Sequence, residues 1–178
     1  AVTESAGYDP STPYAASKAA GDLFLSTLAK HRDFPLVTIR ATNVYGPCQQ
    51  LYRIMPRSVI YMKSDRMIQL HGGGAAVKSW IHIRDVSRGE LAAMEHGRDG
   101  HVYHLSPDHQ YSVREVVQRI CKIMGNDFSK VTDDVLDRMG QDDAYTVDSS
   151  KARAEFGWEP QIDLDQGLTE VVQWIDEN

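Results

Sequence analysis

The chain has few of the features that mark disulfide-rich, metal-binding or membrane proteins. It contains only 2 cysteines among 178 residues, Cys48 and Cys121, and neither lies in a Cys-x-x-Cys or histidine-rich segment. A disulfide framework and a zinc site are therefore not indicated, and a reduced cytoplasmic setting is the default expectation. No apolar run approaches the ~20 residues that cross a bilayer, and no basic-then-apolar signal pattern is present.

Positive charge is also scarce, since 19 lysines and arginines face 25 acidic residues for a formal net charge of −6. Nothing general attracts a nucleic acid or an anionic membrane, so any phosphate site must be local. The scattered histidines and the pairs Asp133-Asp134 and Asp142-Asp143 lack metal-ligand spacing, and no metal is expected. The 42% hydrophobic content is enough for one globular domain, with or without a small lobe.

Apolar spacing along the chain predicts alternating helices and strands. Helices are predicted over 13–31, 54–63, 85–97, 113–124, 149–156 and 164–176, and strands over 36–40, 67–70, 77–83 and 102–105. Shorter strands are predicted near 130–132 and 145–147. Asp85 is predicted to cap the third helix, and Ser112 with Glu115 forms a capping-box pattern for the fourth. The pattern predicts an α/β fold with too few strands for a complete doubly wound sheet.

One pair of residues on the first helix can carry chemistry. Tyr14 and Lys18 are four positions apart, so their side chains share one helix face. Tyrosine has an ordinary pKa near ~10, and an adjacent ammonium favours its phenolate, which could take a proton from a hydroxyl at neutral pH. The pair alone is a weak signal, because Tyr-x-x-x-Lys also occurs on solvated helix faces.

The pair lies in the first of several characteristic segments: residues 11–22 (STPYAASKAAGD), 37–47 (VTIRATNVYGP), Trp80-Ile81-His82, Tyr103-His104-Leu105, Tyr145-x-x-Asp148-x-x-Lys151 and Gly157-Trp158-Glu159-Pro160. Together these segments resemble the extended short-chain dehydrogenases/reductases of the NAD-dependent epimerase/dehydratase family. Within this family the strongest likeness is to dTDP-glucose 4,6-dehydratases, whose Arg-Pro-Gly-His-Asp segment is echoed at 138–142. The resemblance covers nearly the whole chain.

The resemblance implies roles for individual residues. Tyr14 matches the catalytic base, Lys18 tunes it and holds the nicotinamide ribose, and these two with Asn43 are the expected NAD contacts. The expected substrate contacts are Asn43, Arg53, Lys78 and Arg138, the last two toward the diphosphate. Three features depart from the family pattern: Lys78 replaces an arginine and cannot offer its bidentate fork, Gln141 replaces a histidine, and Gly72-Gly73-Gly74 is looser than the usual single-glycine turn.

The resemblance also implies a missing part. The family opens with Gly-x-x-Gly-x-x-Gly at a helix start, and no such segment occurs here; the cluster Gly72-Gly73-Gly74 is expected to be a plain turn. The catalytic Ser/Thr and the Asp-Glu pair of dehydratases are expected upstream of residue 1. The chain is therefore predicted to be a fragment that lacks its N-terminal half, with NAD binding and turnover not expected from it alone.

The predicted architecture is an incomplete Rossmann-like parallel sheet with a small α/β substrate-binding lobe. Residues of about 1–50 and 84–108 are assigned to the remnant of the NAD-binding domain, and about 51–83 and 109–178 to the nucleotide-sugar-binding lobe. The first functional hypothesis is an NAD-dependent dTDP-glucose 4,6-dehydratase. The alternatives are a nucleotide-sugar 4-epimerase of the same family and a non-catalytic nucleotide-sugar-binding or assembly module. A missing N-terminal half and a homodimer partner are the candidate protein partners.

Overall fold

The structure is a computed structural model that describes residues 1–137 and 146–178, and its elements confirm the predicted α/β class. The first part of the chain contains α1 (Pro13–Arg32), β1 (Thr38–Ala41), β2 (Asn43–Tyr45), α2 (Ile54–Lys63), β3 (Ile68–His71), a 3₁₀ turn (Gly72–Gly74) and β4 (Val77–His82). The second part contains α3 (Ile83–His96), β5 (Val102–Leu105), β6 (Gln110–Ser112), α4 (Val113–Met124), α5 (Phe128–Val131), β7 (Thr132–Val135), α6 (Ser150–Phe156) and α7 (Leu164–Glu177).

The strands pair mostly in parallel, as the alternation of helices and strands predicts. β1 pairs with β5, β2 with β4, and β3 with β7, all in parallel, while β6 pairs antiparallel with β4. Because parallel partners need a crossover between them, each of these parallel pairs has at least one helix between its strands. The strand β4 is shared between β2 and β6, so it forms the centre of a three-stranded sheet.

Local signals account for the helix ends. The hydroxyl of Thr12 accepts a hydrogen bond from the amide of Ala15 at 3.1 Å and begins α1. The predicted capping box of α4 is confirmed: Ser112 and Glu115 exchange side-chain and backbone hydrogen bonds. Those bonds stabilise the carboxylate, so they lower the pKa of Glu115. Gly125 ends α4 in the left-handed conformation, at φ 69°.

The prediction that Asp85 caps α3 was wrong. The helix begins two residues earlier, and its cap is His82, whose Nδ1 accepts a hydrogen bond from the amide of Arg84 at 3.3 Å. Asp85 is instead fully buried in the first turn, where its carboxylate accepts hydrogen bonds from the amides of Gln161 and Ile162. An acidic residue near a helix start can either cap the helix or accept hydrogen bonds from another segment. Here the amides of Gln161 and Ile162, distant in sequence, determine that Asp85 does the second.

Short elements differ most from the sequence prediction. The strand predicted over 36–40 is observed as β1, and Asn43 then begins a further strand, β2, where it pairs with Trp80 of β4. The strand predicted near 130–132 is present but begins at Thr132, as β7, because residues 128–131 form a helical turn that the side chain of Asp127 caps by accepting from the amide of Ser129. The predicted strand at 145–147 lies partly outside the described residues, and Val147 forms a parallel bridge with Val2.

Two hydrophobic clusters hold the elements together. The larger one joins α2, β3, α4 and α7 through buried residues such as Met55, Val59, Leu70, Ile120 and Leu168. The smaller one contains Ile81, Val86, Leu105, Ala152 and Trp158. The helix α6 and Trp158, which the predicted boundary assigns to the lobe, therefore pack against α3 and β5 of the predicted Rossmann remnant.

The first helix packs less tightly than the other long helices. None of the residues of α1 is buried, although it carries apolar side chains that include Leu23 and Phe24. Its link to the sheet is polar: Arg40 of β1 forms an ion pair with Asp22 at 2.9 Å. Among the helices that the structure describes, none is long and apolar enough to cross a membrane.

Candidate functional site

A cavity of about 870 Å³ lies where α1, the segment after β1, α2 and β4 meet. Its walls carry side chains of Tyr14, Asn43, Arg53, Arg57 and Lys78. The remaining wall includes Gln49, Gln50 and Tyr52 from the loop before α2, Gln69 and His71 of β3, and Trp80 of β4. A large concave site with a few convergent polar groups is the usual form of a ligand-binding site.

The fold brings most of the predicted site residues to this cavity. Tyr14, Asn43, Arg53 and Lys78 all line it, although they come from four different elements or loops. Lys18 is exposed one helical turn after Tyr14 and is not part of the lining. Arg138 lies outside the described residues. The binding and catalytic roles of all these residues stay predictions.

Strand pairing positions the residues on the β4 wall. The side-chain amide of Asn43 donates a hydrogen bond to the carbonyl oxygen of Ser79 at 3.1 Å, which anchors Asn43 to β4. Lys78 and Trp80 are two positions apart and both line the cavity, whereas the intervening Ser79 is buried behind them. The indole of Trp80 donates to the carbonyl oxygen of Tyr111 on β6 at 3.1 Å, and this contact fixes the ring.

The loop between β2 and α2 shapes the cavity through a close backbone approach. Gly46 has φ 151°, and a Cβ atom there would lie only 2.6 Å from Cγ2 of Ile83. The side-chain amide of Gln49 donates to the carbonyl oxygen of Val44 at 2.8 Å and closes the loop on β2. Glycine is therefore required at position 46 for the loop to pass α3.

The cavity is positively charged, although the whole chain is acidic. Arg53, Arg57 and Lys78 contribute cations, and no aspartate or glutamate lines the cavity within 1–137 and 146–178. Sequence reasoning missed Arg57. The available signal was its position one helical turn after Arg53, which places both on neighbouring parts of the α2 surface. The arrangement suits an anionic ligand.

The glycine cluster at 72–74 is a structural turn, as predicted. The guanidinium of Arg114 donates to the carbonyl oxygen of Gly73 at 2.7 Å and also pairs with Asp134 of β7. A Cβ atom on Gly72 would lie 2.8 Å from Cγ of Asp137. With two carboxylates beside it, this turn is unsuited to phosphate.

The nicotinamide end of NAD fits this chain better than its diphosphate end. Tyr14 and Lys18 are exposed on the first turns of α1, and Asn43 lies on the same cavity as Tyr14. Their contacts with the nicotinamide ribose stay a prediction. The turn at Gly72–Gly74 is occupied by the contacts of Arg114, so it offers no space for the cofactor diphosphate.

Comparison with known proteins identifies the family. The family described as GDP-mannose 4,6 dehydratase matches residues 1–171. A dTDP-glucose 4,6-dehydratase of Streptomyces griseus is 36% identical over 97% of this chain and 52% of its own length. The Haemophilus influenzae dTDP-glucose 4,6-dehydratase is 30% identical over 98% of this chain and 54% of its own length. The chain thus spans about half the length of these curated relatives.

Solved structures match over the same part. DesIV, a dTDP-glucose 4,6-dehydratase from Streptomyces venezuelae solved with NAD bound, superposes with a TM-score of 0.94 at 33% identity, covering 99% of this chain and 55% of that one. A UDP-glucose 4-epimerase from Thermotoga maritima solved with UDP-glucose superposes with a TM-score of 0.92 at 26% identity, covering 99% and 57%.

The fold and the cavity define the class of protein: the chain corresponds to the C-terminal half of an extended short-chain dehydrogenase/reductase, as the sequence resemblance implied. It belongs to the GDP-mannose 4,6 dehydratase family. Its relatives and structural neighbours are dTDP-glucose 4,6-dehydratases and nucleotide-sugar epimerases, and several of the solved neighbours carry NAD.

Proposed function

We propose that this chain holds a nucleoside diphosphate-sugar in the cavity and contributes the Tyr14-Lys18 pair to an NAD-dependent 4,6-dehydratase. The observation that carries the proposal is the placement of Tyr14 on the same cavity as Arg53 and Lys78. A sugar next to the phenol and a diphosphate next to the cations would occupy one continuous space. The dTDP-glucose 4,6-dehydratases among the relatives favour a hexose substrate of that type.

Tyr14 is assigned the proton transfer. Its phenolate would take a proton from a sugar hydroxyl, and the ammonium of Lys18, one turn away on α1, would stabilise that phenolate. Asn43, anchored to β4 by its bond to Ser79, would position the substrate beside Tyr14. NAD, when bound, supplies the acceptor for the hydride of the same carbon, with Tyr14, Lys18 and Asn43 at its nicotinamide ribose.

The proposed division of labour within the chain follows the predicted boundaries. Residues of about 1–50 and 84–108 would face the cofactor, and about 51–83 and 109–178 would hold the nucleotide-sugar. The exposed apolar side chains of α1, and the pairing of β1 with β5 alone among the described strands, support a requirement for further polypeptide beside them. That polypeptide would be an N-terminal half of the family fold or a second copy.

A 4-epimerase of the same family is the second candidate, favoured by the match to the UDP-glucose 4-epimerase. A non-catalytic module that binds nucleotide-sugars is the third, favoured by the location of all three cavity cations within this chain.

Calorimetric titration of the 178-residue chain with UDP-, dTDP-, CDP- and GDP-sugars, each with and without NAD, tests the proposal. We expect binding of a nucleotide-sugar in the absence of NAD. No binding to any of them would reject the cavity as the site.

Product analysis separates the candidate reactions. It is carried out on the chain alone and on the chain extended by the residues that its gene encodes upstream. A 4-keto-6-deoxy sugar supports the dehydratase, an epimer alone supports the epimerase, and no product from either form supports the non-catalytic module.

Tyr14→Phe and Asp99→Asn form a matched pair for these assays, because both are exposed and only Tyr14 lines the cavity. In the chain extended by its upstream residues, Tyr14→Phe is expected to abolish turnover and to leave nucleotide-sugar affinity within about twofold, as expected for a group that moves a proton rather than holds the ligand. Unchanged turnover in Tyr14→Phe would reject its assignment.

A further inference from the structure

Most arginines in the described residues are neutralised by a carboxylate. Those that form ion pairs with Asp or Glu are Arg40, Arg84, Arg88, Arg98, Arg114, Arg119 and Arg153. The two arginines of the cavity differ from them. Over 1–137 and 146–178, neither Arg53 nor Arg57 has an acidic partner within ion-pairing distance, and the same is true of Lys78. The cavity therefore holds cations whose charge is available to a ligand.

Arg57 is held in place without losing its charge. It is half-buried on α2, and its guanidinium carbon lies 5.9 Å from the centre of the Tyr61 ring. A cation–π contact orients a guanidinium and restricts its rotamers but leaves its hydrogen-bond donors in the plane of the group. Arg57 thus lines the cavity with its charge and its guanidinium donors uncommitted within the described residues.

We propose that Arg57 binds the diphosphate of the ligand and supplies the bidentate contact that Lys78 cannot make. This inference rests on the proposed function. Lys78 approaches from β4 as a point charge, whereas Arg57 approaches from α2 with two parallel N–H donors that match the spacing of phosphate oxygens. With Arg53 at the start of the same helix, three cations from two walls surround the diphosphate. In this site the bidentate arginine lies on α2 rather than on β4.

Arg66 provides a matched control. Its guanidinium carbon packs on the same Tyr61 ring at 4.2 Å, and it likewise has no carboxylate partner in the described part of the chain. Arg66 is not among the residues that line the cavity. Replacing either arginine removes one cation–π contact with Tyr61, but only the replacement of Arg57 would also remove a contact with the ligand.

The experiment measures the dissociation constants of dTDP, UDP and GDP by calorimetry for the unchanged chain, Arg57→Gln, Arg57→Lys and Arg66→Gln. Thermal melting of each variant checks folding. For the nucleotide that the unchanged chain binds most tightly, Arg57→Gln is expected to raise the dissociation constant by roughly 10- to 100-fold, as for the loss of a hydrogen bond to a charged group. Arg66→Gln is expected to change that dissociation constant by less than about twofold. Arg57→Lys is expected to recover only part of the lost affinity, because lysine restores the charge without the bidentate fork.

A double-variant cycle gives an independent measurement. If Arg57 and Lys78 contact the same diphosphate, the effects of Arg57→Gln and Lys78→Met are non-additive in the double variant. An effect of Arg57→Gln no larger than that of Arg66→Gln, while the unchanged chain still binds, would overturn this inference alone. Failure of the unchanged chain to bind dTDP, UDP and GDP would overturn the proposed function and this inference with it.

Discussion

Asp85 accepts a hydrogen bond from the backbone amide of Gln161 at 2.9 Å, across 76 positions of sequence. Its second oxygen accepts from the amide of Ile162 at 3.1 Å, and the carboxylate is completely buried. One side chain at the start of α3 thereby holds the segment that leads from Trp158 into α7. The indole of Trp158 adds a bond to the carbonyl oxygen of Asp85 at 2.9 Å.

Asp85→Ala should therefore be strongly destabilising. Two backbone donors would lose their acceptor in a buried place, and we expect the free energy of unfolding to fall by about 3 kcal/mol. Urea denaturation followed by circular dichroism measures the change. Asp99→Ala, at an exposed acidic residue, is the control and should stay within about 0.5 kcal/mol. A similar small effect at both positions would contradict the role assigned to Asp85.

Gly167 of α7 allows the close packing of Tyr45. A Cβ atom at this position would lie 2.3 Å from the hydroxyl oxygen of Tyr45, which is itself buried. Gly167→Ala should cost about 1 to 3 kcal/mol through overpacking. Gly21→Ala on α1 is the matched control, because a Cβ atom added there would meet nothing within 4 Å, and it should stabilise by up to about 1 kcal/mol.

The Gly167 prediction has a second check in the Tyr45→Phe background. Removing the phenol oxygen relieves the shortest contact, so Gly167→Ala should cost less there than in the unchanged chain. Thermal and urea unfolding of the four variants complete the cycle. Equal costs in both backgrounds would show that Tyr45 is not what limits position 167.

Stability should depend on pH through His82. Burial lowers the pKa of His82, although the carboxylate of Glu170, 3.4 Å from its Nε2, raises it in part. The unfolded chain takes up this proton near a pKa of about 6.5, whereas the folded chain does so only at lower pH. Below about pH 6.5 the unfolded state therefore binds more protons, and stability falls as pH decreases until the folded-state pKa is passed.

Urea unfolding at about pH 7.5 and about pH 5.5, on either side of the unfolded-state pKa, measures this loss. His82→Asn keeps a cap for α3 but cannot titrate, so the difference between the two pH values should shrink. Part of the difference should remain, since burial also lowers the pKa of His104. His109→Asn, at an exposed histidine, should leave the difference unchanged. The same pH difference in His82→Asn as in the unchanged chain would reject His82 as its source.

The two cysteines should differ in reactivity. Cys48 is exposed, whereas Cys121 is buried in the larger cluster, and burial raises the pKa of its thiol. A thiolate is the reactive form, so titration with an aromatic disulfide reagent should give one fast thiol in the folded chain and two after unfolding. Cys48→Ser should abolish the fast phase. A fast reaction of Cys121 in that variant would mean that α4 opens readily.

Local patterns in the sequence were sufficient for the longer elements. The apolar period and the capping box placed α2 and α4 closely, and the strand predicted over 102–105 coincides with β5. The strands β2 and β6 were not predicted, because a strand of three residues is too short to show a recognisable alternation of apolar and polar side chains. The resemblance predicts that Tyr14, Asn43, Arg53 and Lys78 are site residues. In the structure these four residues line one cavity.

The sequence by itself determined the class of fold, the family and the pair on α1, because each depends on residues close together in the chain. The tertiary structure alone decided that Asp85 is a buried anchor rather than a cap, and that Arg57 faces the cavity without an acidic partner in the described residues. Both outcomes depend on segments that are distant in sequence. A side chain's partners are set by which elements pack together, and no local pattern states that packing.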